Sequence, residues 1–92
     1  MEIRRSVRIV NKQGLHARPC HSIVSIALDF ASELRLSTGG REVNGKSILE
    51  LMTLNAGLGV ELEVRAWGGD AESLVEAIEN LFAAGFGEEL AS

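Results

Sequence analysis

The sequence predicts an α+β fold, an open-faced sandwich of element order βαββαβα in which three helices cover one face of a four-stranded antiparallel sheet. Three observations predict it. Hydrophobic and polar residues alternate in short segments within residues 2–10, 33–43 and 60–67, the period of half-buried strands. Elsewhere apolar residues recur at three- and four-residue steps, the spacing of one helix face. A glycine pair, Gly39-Gly40, links two of the strands as a hairpin, and short hairpin-linked strands with helices between them form an antiparallel sheet covered on one side.

The first strand, residues 2–10, sets Ile3, Val7 and Ile9 on one face and Glu2, Arg4, Ser6 and Arg8 on the other, with Arg5 interrupting the apolar face. Asn11-Lys12-Gln13-Gly14 is a loop. From Pro19 onward, Cys20, Ile23, Val24, Ala27, Phe30, Ala31 and Leu34 keep the helical period, so this helix is buried on one side. Glu33–Ser37 then alternates as a strand, Thr38-Gly39-Gly40 turns the chain, and Arg41–Val43 is the third strand. Ser47 and Glu50 form a capping-box pattern, with Ser47 as N-cap and Glu50 reaching back; the short helix behind them ends before Gly57 and Gly59. Val60–Trp67 is the clearest strand, with Val60, Leu62, Val64 and Ala66 inward. Gly68-Gly69-Asp70 leads into the last helix, Asp70 being its expected N-cap. Leu74, Val75, Ile78, Leu81 and Phe82 line that helix's inner face, Gly85 suits the left-handed stop position, and Phe86 is placed to fold back on the final turn.

Ninety-two residues support one domain, residues 1–92, with a modest core. No apolar run approaches the roughly eighteen residues that cross a bilayer, and MEIRRSVRIV reads as a strand instead of a leader. One cysteine cannot form an internal disulfide, which points to the cytoplasm. A net charge of −4 and the absence of tyrosine argue against nucleic acid as a partner.

The chemistry concentrates in Gly14-Leu15-His16-Ala17-Arg18-Pro19-Cys20. Proline is tolerated in the first turn of a helix, where its missing N–H is no loss. His16 therefore stands where unpaired N–H groups and the positive end of the helix dipole converge. That setting favours a neutral ring with a free lone pair, and it welcomes an anion such as phosphate. Arg18 adds a planar donor fork for phosphate oxygens, and the backbone N–H groups at Ala17 and Arg18 are further donors. Together these features suit a histidine that accepts and then releases a phosphoryl group.

Gly40-Arg41-Glu42-Val43-Asn44-Gly45-Lys46-Ser47 satisfies the nucleotide-binding pattern G-x-x-x-x-G-K-S. Glu42 would place a carboxylate in the phosphate cradle, residues 41–43 alternate as a strand, and the chain is too short for the layered parallel sheet such loops need. Ser47 reads as a helix cap worth about 1 kcal/mol. Among residues 48–52, Ile48, Leu49, Leu51 and Met52 cannot all face one core, so part of this helix is exposed. Cys20 in the first helical turn could be reactive, or form a metal site with His16 and His21. His21 lies about a hundred degrees around the helix from Cys20, so convergence is poor; a buried Cys20 beside a solvent-facing His21 is the expectation, with no metal.

GLHARP, followed by SIVSIALDFAS, VNGKSILELMTLNAG and GFGEE, resembles the HPr family, the histidine-containing phosphocarriers of the bacterial phosphotransferase system, from about Ile3 to Glu88. The family has small residues after the proline, where this chain has Cys20 and His21. The resemblance implies strand order 1-4-2-3 and a phosphoryl group received on Nδ1 of His16 from Enzyme I, charged by phosphoenolpyruvate. That group passes to a histidine of a sugar-specific Enzyme IIA. Arg18 and the N–H groups around Ala17 steady it. No cofactor, metal or nucleotide is implied, and the protein is a stoichiometric carrier, not an enzyme, acting as a monomer. By the same resemblance Ser47 is the target of a dedicated kinase in hosts that carry one, and exposed members of Ile48, Leu49 and Met52 form a docking patch beside the histidine. Two alternatives share these motifs: the nitrogen-related branch of the family, and a regulatory binding module in which Ser47 matters and His16 is idle.

Overall fold

The alternating segments pair as one antiparallel sheet. In the computed structural model, which describes residues 2–90, its strands are β1 (Glu2–Arg8), β2 (Glu33–Thr38), β3 (Arg41–Asn44) and β4 (Glu61–Trp67). They lie in the order β1-β4-β2-β3, as the family resemblance implies. The register aligns Ile3, Ala66 and Leu34 in one row and sets Leu36 between Val64 and Val43 in the next. Arg5 falls opposite Val64 at the outer end of that second row. Because β1 is an edge strand, the Arg5 side chain stays exposed and donates to the Arg4 carbonyl at 2.8 Å, so the break in the apolar pattern buries no charge.

The helices α1 (Ala17–Ala27), α2 (Ile48–Met52) and α3 (Ala71–Ala83) supply the other half of the core. Cys20, Ile23 and Ala27 of α1 and Leu74 and Ile78 of α3 are fully or almost fully buried with Leu36, Leu62 and Val64 of the sheet. A chain of 92 residues thereby hides apolar side chains worth about 1.5–3 kcal/mol apiece when large. None of the helices is long and apolar enough to cross a membrane among the described residues.

Two expectations are corrected. The helical period from Pro19 to Leu34 overstates α1, which begins at Ala17 and ends at Ala27. Leu28 caps it, the N–H groups of Asp29 and Phe30 bond back three residues to Ile26 and Ala27, and Leu34 belongs to β2. Asp70 keeps the helix from resuming: its carboxylate accepts the N–H of Ala31 and of Ser32, each at 2.9 Å, and the Ser32 hydroxyl. Those N–H groups are then withdrawn from a helical ladder. For the same reason Asp70 occupies the N-cap position of α3 without capping it by its side chain. Its carbonyl begins the helical ladder by accepting Leu74 N–H at 3.0 Å, and its carboxyl is held below the ordinary value chiefly by the Ser32 hydroxyl.

Candidate functional site

Gly14 places the histidine. Its φ is +68°, and a Cβ there would come within 2.5 Å of the Ala56 carbonyl oxygen and 2.8 Å of Gly57 Cα, so only glycine fits. Leu15 N–H donates to that same Ala56 carbonyl at 2.9 Å, and the Leu15 side chain is buried in the core. The loop is thus pinned to the chain just after α2. His16 is the N-cap of α1 with extended backbone, φ −88° and ψ −172°, and its side chain makes no capping bond. Its carbonyl accepts Cys20 N–H at 3.2 Å. Ala17 and Arg18 therefore occupy the first turn, whose N–H groups have no intrahelical acceptor, and Pro19 has none to satisfy. Both Ala17 and Arg18 are exposed.

The His16 ring is about one third exposed, at 35%, and its Nε2 lies 2.9 Å from Glu88 Oε1. The same carboxylate oxygen accepts from Asn11 Nδ2 at 3.1 Å, and that amide also donates to the Gly14 carbonyl at 2.9 Å. Glu88 is only 13% exposed. Its carboxyl is held below the usual carboxylate value chiefly by the His16 bond; burial opposes this, while the Asn11 donor and the Arg18 charge add to the lowering. An ionised carboxylate only accepts, so a hydrogen bond at this contact needs the proton on Nε2, which in a neutral ring leaves the lone pair on Nδ1. Lys12, Gln13, His16, Arg18, Glu88 and Glu89 line a recess of about 450 Å³ here.

Sequence reasoning missed Glu88 and the use made of Asn11. The sequence around His16 displays the donors of the helix end and no acceptor. Glu88 reaches the site because the chain curls sharply after α3: Gly85, Phe86 and Gly87 all have positive φ, 60°, 58° and 72°. At Phe86 this conformation costs about 1–3 kcal/mol. Burial of the ring, 4.8 Å from Phe82 in an edge-to-face pair, offsets that with about 2 kcal/mol from apolar area and up to roughly 1 kcal/mol from the aromatic contact. The segment that follows is strapped to the loop by Lys12 N–H to the Glu89 carbonyl at 3.0 Å and by a bridge between Asn11 and Leu90.

The second cluster lies on α2, which packs against α1. The Ser47 hydroxyl accepts Glu50 N–H at 3.2 Å, as expected of the N-cap. The other half of the capping box is shifted: Glu50 Oε1 accepts Asn44 N–H at 3.1 Å, because Ser47 N–H already donates to the Asn44 carbonyl at 3.1 Å. Leu49 and Met52 are exposed, at 79% and 39%. Ile48 packs partly into the core, so the expected apolar patch is chiefly Leu49 and Met52. Leu58, next to the Gly57 against which Gly14 sits, is a further exposed apolar residue.

The remaining candidates are absorbed by packing. Cys20 is buried, burial pushes its thiol up to about 11, and an inert thiol follows. His21 is exposed, on the other side of the turn. In the G-x-x-x-x-G-K-S stretch, Gly45 N–H donates to the Leu34 carbonyl at 2.8 Å and Lys46 Nζ to the Phe30 carbonyl at 2.8 Å. The residues a nucleotide would need instead tie the chain after β3 to the start of β2 and to the segment before it.

Comparison with known proteins places nearly the whole chain among relatives. A family model described as the PTS HPr component phosphorylation site matches residues 3–84. The phosphocarrier protein HPr of Cupriavidus necator is 37% identical, the alignment spanning 94% of this chain and 97% of the relative. That of Treponema pallidum is 42% identical over 92% of this chain and 97% of its own. The crystal structure of HPr-C-His from Thermoanaerobacter tengcongensis superposes with a TM-score of 0.91 at 36% identity, covering 96% of this chain and 99% of that one.

Proposed function

The chain belongs to the HPr family of phosphocarriers of the bacterial phosphotransferase system, and on that premise we propose that it receives one phosphoryl group on His16 from Enzyme I and passes it to Enzyme IIA. The observation that carries the reading is the His16 ring at the N-cap of α1, with Nε2 2.9 Å from the Glu88 carboxylate, a contact that leaves Nδ1 as the attacking nitrogen. The Nδ1 lone pair attacks phosphorus, the N–P bond forms as the donor's bond to phosphorus breaks, and the donor keeps that electron pair. Ala17 and Arg18 N–H groups and the Arg18 guanidinium face the transferred oxygens. Such a transfer depends on position and charge stabilisation more than on covalent work by the protein. His16 returns unchanged after the second transfer, so residues 1–92 serve as one carrier domain and not as an enzyme, without metal or nucleotide.

Leu49 and Met52, with Ile48 beneath them, form the docking surface for both partners; an adaptable methionine suits a surface that meets unrelated proteins. Ser47, at the edge of that surface, is a regulatory phosphorylation site where the host has the kinase. A phosphate there would join a helix N-terminus without unfolding it and would set charge beside the partner. The carrier works as a cytoplasmic monomer and has no nucleic-acid or membrane partner. Enzyme I and phosphoenolpyruvate should label the protein once with acid-labile phosphate, and His16→Ala should abolish the label. Acid-stable label, or full labelling of His16→Ala, would refute the assignment.

A further inference from the structure

Asn11 is fully buried, yet nothing in the transfer chemistry uses it. One amide nitrogen serves two acceptors, the Gly14 carbonyl at 2.9 Å and Glu88 Oε1 at 3.1 Å, while Oδ1 is buried without a partner. The reverse orientation would set Oδ1 against both acceptors, so the amide has one tolerable orientation. An orphaned buried acceptor is costly, and its persistence marks the donor end as the part that is needed. The oxygen it holds is the one facing His16 Nε2 at 2.9 Å.

We propose that Asn11 is a positioning residue for His16: its carboxamide fixes the Glu88 carboxylate against Nε2 and so assigns the ring proton to Nε2 and the lone pair to Nδ1. The inference rests on His16 being the phosphoryl acceptor, and it deepens that reading by naming what aims the nucleophile. Glu88 cannot do this unaided. It stands on the segment after a curl of three left-handed residues, beyond the span matched by the family model, and could turn instead toward the cations of the recess, Lys12 and Arg18. Lys12 is already paired with Glu89 at 3.4 Å. Asn11 grips Glu88 across 77 positions of sequence and holds it at the imidazole, and through the Gly14 carbonyl it ties the same contact to the loop that carries the ring.

The test measures ring tautomer and transfer rate together. In the intact protein, nitrogen-15 NMR of the neutral His16 ring should show the proton on Nε2. Asn11→Ala and Glu88→Ala should each give a mixture of tautomers and slow phosphoryl transfer from Enzyme I roughly tenfold, the weight of one hydrogen bond to a charged group. The double variant should be no slower than Glu88→Ala alone, since Asn11 acts through Glu88. Additive losses would overturn the proposal, as would an unchanged tautomer in either single variant. If Asn11→Ala does not fold, Glu88→Ala with Asn11→Ser gives the same readout. The tautomer is measured without any partner, so failure of His16 to take phosphate defeats the functional reading separately from this one.

Discussion

At the scale of single residues, the site is a contest between donors and one acceptor. The first turn of α1 would offer N–H groups and Arg18 to the phosphate of the proposed transfer, while Glu88 sets a carboxylate 2.9 Å from His16 Nε2. The folded protein holds the Glu88 carboxyl below its ordinary value of 4.5, mainly through the His16 bond. A depressed carboxyl contributes stability that is present above the unfolded value and lost as pH falls through the folded one. Unfolding midpoints in urea should therefore decline from about pH 5 downward, and Glu88→Gln should show a shallower decline because its side chain does not titrate. Parallel acid limbs for the two proteins would contradict this account of Glu88.

At the scale of elements, the ends of helices matter more than their middles. α1 is kept from resuming where Asp70 takes the N–H groups of Ala31 and Ser32, and α2 starts where Ser47 takes that of Glu50. Ser47→Ala should lose about 1 kcal/mol of stability. Ser47→Asp should keep the cap, since a carboxylate also accepts at an N-terminus, and should fold with a similar midpoint. The added charge beside Leu49 and Met52 should nonetheless slow phosphoryl transfer from Enzyme I, most strongly at low ionic strength. Transfer rates that ignore both the substitution and the salt would exclude a regulatory role for Ser47.

At the scale of the whole molecule, α2 divides its apolar residues between two uses. Leu51 is completely buried and Leu49 is 79% exposed, two positions apart on five residues of helix. Leu51→Ala should cost roughly 2–5 kcal/mol by leaving a cavity. Leu49→Ala should change stability by no more than about 0.5 kcal/mol and instead raise the KM for transfer from Enzyme I. A stability loss at Leu49 as large as that at Leu51, or an unchanged KM, would remove Leu49 from the docking surface. The same sheet and helices that bury Leu51 also carry Gly14 against Ala56 and Gly57, which holds the histidine loop beside the exposed leucine's helix.

The sequence by itself determined what is local. Strand alternation, the helical face of α3, the N-cap at Ser47, the left-handed stop at Gly85 and the run from Gly14 to Pro19 all depend on neighbours a few residues apart, and each is legible in the pattern of residue types. Only the tertiary structure decided that α1 does not resume, which member of residues 48–52 enters the core, and what faces His16. Those outcomes turn on Asp70 bonding some 39 positions back along the chain and Glu88 bonding His16 across 72. Hydrogen bonds between such distant residues leave no periodicity behind: a buried asparagine in a loop and a glutamate after a helix look like ordinary surface residues until the fold brings them together.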